Sequence, residues 1–198
     1  MIPEKILKDF GCNIKHYKSG DFIYEENMKN LGYFQILSGK IKLNNFSEDG
    51  KEFIQNIFET PQSFGEALLF IDEPYPTNAV ALTKCEIAEL PTKQFFELLE
   101  KYPQYSLEIS KNISQRLHYK MLMSQHIFSK EPSIRLRALM DYFKHTHYFQ
   151  DSESGYPIPL TRQQMADLTG LRVETVIRTI KAMEKDNLLI IRNRQIYY

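Results

Sequence analysis

The spacing of four residues, Thr161, Ala166, Gly170 and Val176, constrains this chain more than any other feature of its 198 residues. Thr161 with Gln164 three positions on is a capping box, in which hydroxyl and amide each satisfy a backbone donor that the first helical turn leaves without a partner. A short helix starts there. Ala166 is small enough for two helices to touch, Gly170 is free to take the positive φ of a tight turn, and branched Val176 locks a second helix down. The stretch from Leu160 to Tyr198 therefore reads as helix, turn, helix, hairpin. Val176, Ile180, Met183 and Leu188 are expected on the buried face of the second helix, which leaves Arg172, Val173, Glu174, Ile177, Arg178 and Lys181 outward.

That outward face carries chemistry. Glu174 and Arg178 lie four apart, hence on one side, and can form an ion pair on a bare helix. The same two groups supply an acceptor for cytosine N4 and a bidentate donor for guanine O6/N7, which is what reading a G·C pair in the major groove requires. Val173 and Ile177 are apolar where a wet surface is expected, and thymine methyls would account for both. The ending LLIIRNRQIYY reads as a two-strand wing with Arg192 and Arg194 near its tip, placed to touch phosphate. Thr161, at the start of the first helix, completes the candidate DNA-contacting set. Charge agrees: residues 1–104 hold 16 acids, 11 lysines and no arginine, whereas all eight arginines lie at or beyond Arg116. Arginine is the residue suited to phosphates and guanine edges.

Upstream, Gly20 to about Pro91 reads as short strands, with Gly32, Gly39, Gly50 and Gly65 at turn-like spacing and Asp49-Gly50 a hairpin signal. This predicts a small antiparallel roll or barrel, a class that readily encloses a cavity. After Pro91 the period changes. Residues 92–101 predict a helix stopped by Pro103, and 104–128 a longer one of about 37 Å. Ile109, Ile113, Leu117 and Met121 recur every four residues along it and form the expected dimerisation stripe, because a helix of that length connects two bodies or pairs with its own copy. Glu131-Pro132 ends it; another helix follows, then a polar loop over 145–157. The expectation is an α+β chain: a sensory β-roll over 1–104, a dimerisation helix over 105–130 and a winged helix-turn-helix over 131–198.

Other classes are poorly served. The longest apolar run, Ala67–Ile71, is far short of the roughly 20 residues of a membrane span, and MIPEKILKDF lacks a signal peptide's apolar segment, so a cytoplasmic protein is expected. Cys12 and Cys85 are too few for a disulfide framework. His145 and His147 form a loop pair without further metal ligands, so no metal is expected. No nucleophile elbow, phosphate-cradling glycine loop or zinc-helix histidine pair is present, and an enzyme is not expected. A rival reading makes the roll a ligand-binding regulatory module whose winged helix contacts protein rather than DNA.

With FGEALLF at 64–70, a long helix and the ending LTRQQMADLTGLRVETVIRTIKAMEKDNLL, the chain resembles the cyclic-AMP receptor protein and fumarate-nitrate reductase regulator (Crp/Fnr) family of bacterial transcription factors. The resemblance implies a homodimer paired through the long helix, a sensory roll, a winged helix inserted into a palindromic operator, and RNA polymerase as a partner, which the loop 145–155 would face. Glu174 and Arg178 match the family's base-reading glutamate and arginine, and Val173 the valine of the oxygen-sensing branch. Ile177 departs from the small residue used there, and Arg172 from the usual Ser or Thr cap.

In the sensor, Gly65 and Glu66 match the Gly-Glu that grips the ribose in cyclic-nucleotide binders. The family's Arg-Ser for the cyclic phosphate aligns with Pro76-Thr77, and its Thr-Ser over the base with Lys120 and Met121. Proline brings neither charge nor amide donor, so cyclic AMP is not the expected effector. Two cysteines also exclude the four-cysteine iron-sulfur cluster of the oxygen-sensing branch. Haem ligation by His16 or Cys12 is a minor alternative. No cofactor is expected, and the effector is an unidentified small molecule or none.

Overall fold

The computed structural model describes residues 1–127, 131–146 and 155–198. They form two compact units, 1–114 and 115–198. The first opens with α1 (Glu4–Asp9) and continues through β1 (Asn13–Tyr17), β2 (Phe22–Tyr24), β3 (Gly32–Ser38), β4 (Lys40–Phe46), β5 (Glu52–Glu59) and β6 (Ser63–Phe64). A short 3-10 turn over Glu66–Phe70 leads to β7 (Asn78–Ala81), β8 (Cys85–Pro91), α2 (Thr92–Lys101) and the first half of α3 (Gln104–Ile127).

Two four-stranded antiparallel sheets result, ordered β1-β8-β3-β6 and β2-β7-β4-β5. Strand periodicity sorts their side chains. On β3, Phe34 and Ile36 join Ile41, Phe58, Phe64, Ala79 and Ile87 in a core fed by both sheets, so the sheets pack face to face. The alternate residue Tyr33 joins Ala88, Leu90, Phe95, Leu98 and Ile109 in a second core under the helices. The first sheet is thus covered on both sides. Its one deeply buried amide, Gln35, accepts from the Tyr33 hydroxyl at 2.8 Å and donates to the Ile2 carbonyl at 2.9 Å, so its polar atoms are satisfied where they are hidden from water. The expected hairpin at Asp49-Gly50 joins β4 to β5, with Gly50 at φ 77°.

The second unit holds the rest of α3, then α4 (Pro132–Thr146), α5 (Arg162–Thr169), α6 (Val173–Lys185), β9 (Ile190–Arg192) and β10 (Gln195–Tyr197). Tyr119 of α3 stacks on Tyr142 of α4 with ring centroids 3.6 Å apart. Leu136, Leu139, Met165, Ala166, Val176, Ile180, Met183 and Ile196 are all buried. This is the predicted architecture of antiparallel roll, long helix and winged helix-turn-helix. The side chain of His145, His147 and the loop through residue 154 lie outside the described residues. Among the described residues no helix is long and apolar enough to cross a membrane, and no three metal-ligating side chains cluster.

Leu188 corrects one expectation. It is 46 % exposed, and Leu189 is buried in its place. The helix stops at Lys185, and Asn187 turns left-handed at φ 59°. The Leu188 N–H then reaches back to the Met183 carbonyl at 2.9 Å and the Asn187 N–H to that of Glu184 at 3.0 Å, a Schellman closure that ends the helical phase before Leu188.

Candidate nucleic-acid interface

The interface is built from the cap outward. Thr161 Oγ1 accepts the Gln164 N–H at 3.1 Å, and Gln164 Oε1 accepts the Thr161 N–H at 2.9 Å, so both halves of the capping box are made. Gly170 closes α5 at φ 66°, a conformation that would strain any side chain. Arg172 then starts α6 with extended backbone and no side-chain cap, as its departure from Ser or Thr implies. Val176, Ile180 and Met183 face inward.

Glu174, Ile177, Arg178 and Lys181 are exposed on the outward face, together with Arg172, while Val173 is half-buried. No ion pair joins Glu174 to Arg178, although their spacing allows one, and both residues are exposed. Beyond α6, Arg192 and Arg194 are exposed around the turn from β9 to β10, whose central residues Asn193 and Arg194 have φ of 50° and 66°. Two left-handed residues make a type I′ hairpin, and glycine is the usual choice where Arg194 stands.

Sequence reasoning missed Glu184. Its carboxylate accepts the Ile191 N–H at 3.1 Å and so anchors the wing to the last turn of α6. Its position one residue beyond the buried Met183, before a hairpin, was the available signal.

On α3 the structure redraws the pairing stripe. Ile109 is 2 % exposed and packs with Leu7, Phe95 and Leu98, so it is spent on its own unit's core; Ile113 rests against the same cluster. Leu117 and Met121 are exposed. Among the exposed residues of α3, Leu107, Ser110, Ser114, Leu117, Met121 and Ser124 follow one another in alternating steps of three and four. That alternation averages 3.5, the spacing that a seam between two coiled helices requires.

In the roll, Gly65 is left-handed at φ 79°, and a Cβ placed on it would lie 3.4 Å from Tyr75, 3.5 Å from Phe34 and 3.6 Å from Tyr24. The Gly-Glu corner therefore faces aromatic rings. Tyr24 and Tyr75 stack at 3.7 Å between centroids, Phe34 and Phe64 at 5.2 Å, and the Tyr75 hydroxyl accepts the Leu31 N–H at 2.9 Å. Glu66 is fully buried and accepts from the Ser63 hydroxyl at 2.9 Å. Thr77 is buried, and exposed Pro76 uses its carbonyl to accept from Asn45 at 2.7 Å. Lys120 is exposed on the part of α3 that belongs to the second unit. Cys85 is buried and Cys12 half-buried, both free thiols.

Comparison with known proteins bears on both units. Residues 14–102 match the family described as cyclic nucleotide-binding domain, and residues 135–198 match the Crp-like helix-turn-helix domain. The chain is 26 % identical over 181 residues to the cAMP-activated global transcriptional regulator CRP of Haemophilus influenzae, covering 90 % of this chain and 80 % of that protein. It is 24 % identical over 181 residues to the nitrogen fixation regulation protein FixK of Bradyrhizobium diazoefficiens, covering 89 % and 73 %. Among solved structures, a CooA mutant from Carboxydothermus hydrogenoformans superposes with a TM-score of 0.83 at 17 % identity, covering 100 % of this chain and 87 % of that one.

Proposed function

The chain belongs to the Crp/Fnr family of DNA-binding transcriptional regulators, and we propose that it acts as a homodimer reading an inverted-repeat operator, with a sensor that does not take cyclic AMP. One observation carries the DNA reading: Glu174 and Arg178 stand exposed and unjoined on the outward face of the second helix of a capped helix-turn-helix. An acceptor and a bidentate donor held there recognise a G·C pair. The straight seam on α3 supports pairing with a second copy, and two reading heads one helical turn apart, about 34 Å, suit an inverted repeat. RNA polymerase is the protein partner that family membership supports, and the cytoplasm is where such a regulator works.

Cyclic-AMP activation is a property of the Haemophilus influenzae relative. In this chain, Pro76 stands where the family's phosphate-holding arginine would be, residues 1–104 contain no arginine to replace it, and Gly65 looks onto Tyr75. We therefore assign the sensor no cyclic-AMP role, no iron-sulfur cluster and no other cofactor. Calorimetry with cyclic AMP is expected to give no heat of binding; micromolar affinity would overturn this assignment.

The reading is tested by selecting bound duplexes from a random-sequence library and then varying the selected half-site base by base. Arg178→Ala is expected to weaken the selected site by about 1–3 kcal/mol and to relax the preference at one G·C pair. An unchanged preference would remove Arg178 from base reading.

A further inference from the structure

We infer that Ile177 reads the 5-methyl group of a thymine, so that each half-site carries a thymine within one or two base pairs of the guanine bound by Arg178. The inference rests on the DNA-reading assignment above and adds to it a base that the polar pair alone does not specify. Ile177 is 42 % exposed, and the inward face of α6 is complete without it in Val176, Ile180 and Met183. It sits one turn into the helix, next to Arg178 and within helical reach of Glu174 and Lys181, all exposed and charged. The side chains near the start of the second helix of such a motif are the ones that meet base edges. Among the four base pairs, the apolar feature in the major groove is the thymine methyl. A β-branched side chain suits that contact, because in a helix it holds one preferred rotamer and loses little freedom on docking. Val173, the other apolar residue, is half-buried at the first helical position and offers less surface.

Deoxyuridine isolates the methyl. Once the operator is selected, each thymine of the half-site is replaced singly by deoxyuridine, which keeps every hydrogen-bonding group and removes only the methyl. Wild-type protein is expected to lose roughly fourfold in affinity at one such position, the worth of about one buried methyl. In Ile177→Ala that loss should vanish, while the penalty for replacing the G·C pair read by Arg178 persists. Ile177 is exposed, so the variant should fold; circular dichroism and an unchanged melting temperature check this. The inference is overturned if no deoxyuridine weakens wild-type binding, or if the same loss persists in Ile177→Ala. A library that yields no motif overturns the regulator reading itself, whereas a motif with a responsive G·C pair and no methyl effect overturns this inference alone.

Discussion

The carboxylate of Glu184 accepts the backbone N–H of Ile191 at 3.1 Å, which ties the wing to the end of α6. Removing the carboxylate leaves that amide to solvent and frees the hairpin. Glu184→Ala is expected to weaken binding to all duplexes alike by about 1 kcal/mol, the scale of one hydrogen bond, and leave the base preference set by Arg178 intact. Binding curves on the selected operator and its single-base variants measure both quantities, and faster hydrogen exchange at Ile191 reports the released wing.

Arg172 begins α6 without a side-chain cap and places a cation at the positive end of the helix. Arg172→Ser restores the cap and removes the charge. It is expected to stabilise the second unit by about 1 kcal/mol, raising its melting temperature by several degrees. DNA affinity should fall and lose part of its salt dependence, because one positive charge on the outward face of α6 is gone.

At the wing tip, Arg194 holds a left-handed backbone at φ 66°. Arg194→Gly relieves a penalty of roughly 1–2 kcal/mol that a side chain pays there. The variant should therefore be more resistant to urea than the parent and bind DNA less tightly on every sequence, with a salt slope lower by about 1. A base-selective loss would instead make Arg194 a reader.

In the proposed seam on α3, exposed Ser114 stands between Ser110 and Leu117. Ser114→Leu extends its apolar surface, and each buried leucine contributes about 1.5–3 kcal/mol. Sedimentation should show the dimer dissociation constant falling at least tenfold. Ile109→Ala is the contrasting change: a cavity in the first unit's own core should cost about 2–5 kcal/mol of folding stability.

What the sequence discloses follows the range of the forces involved. The bounds of α2, the Thr161–Gln164 cap and the left-handed Gly170 rest on contacts among near neighbours, and they stand where the spacing puts them. The stripe on α3 does not. Steps of four residues advance about 40° beyond a full turn, so Ile109 and Met121 lie about 120° apart around the axis. Ile109 faces the roll's helices for a reason written in Leu7, Phe95 and Leu98, far away in the chain. Leu188 leaves the buried face that the helical period assigns it because Asn187 resets the backbone after Met183. Pro76 spoke against a cyclic phosphate in the sequence, yet the stacking of Tyr24 on Tyr75 beside Gly65 required the fold, since β2 and the loop before β7 meet only in three dimensions.

Tyr33 stacks on Phe95 of α2, and its neighbour Phe34 stacks on Phe64 across the opposite side of the same strand. That strand is consequently a party wall between two rooms. On its other side Phe95 and Ile109 sit together in the core that includes the opening turns of α3. The two cores of the first unit therefore share one strand, and a change of ring size on its inter-sheet side is expected to alter how Phe95 packs against Ile109.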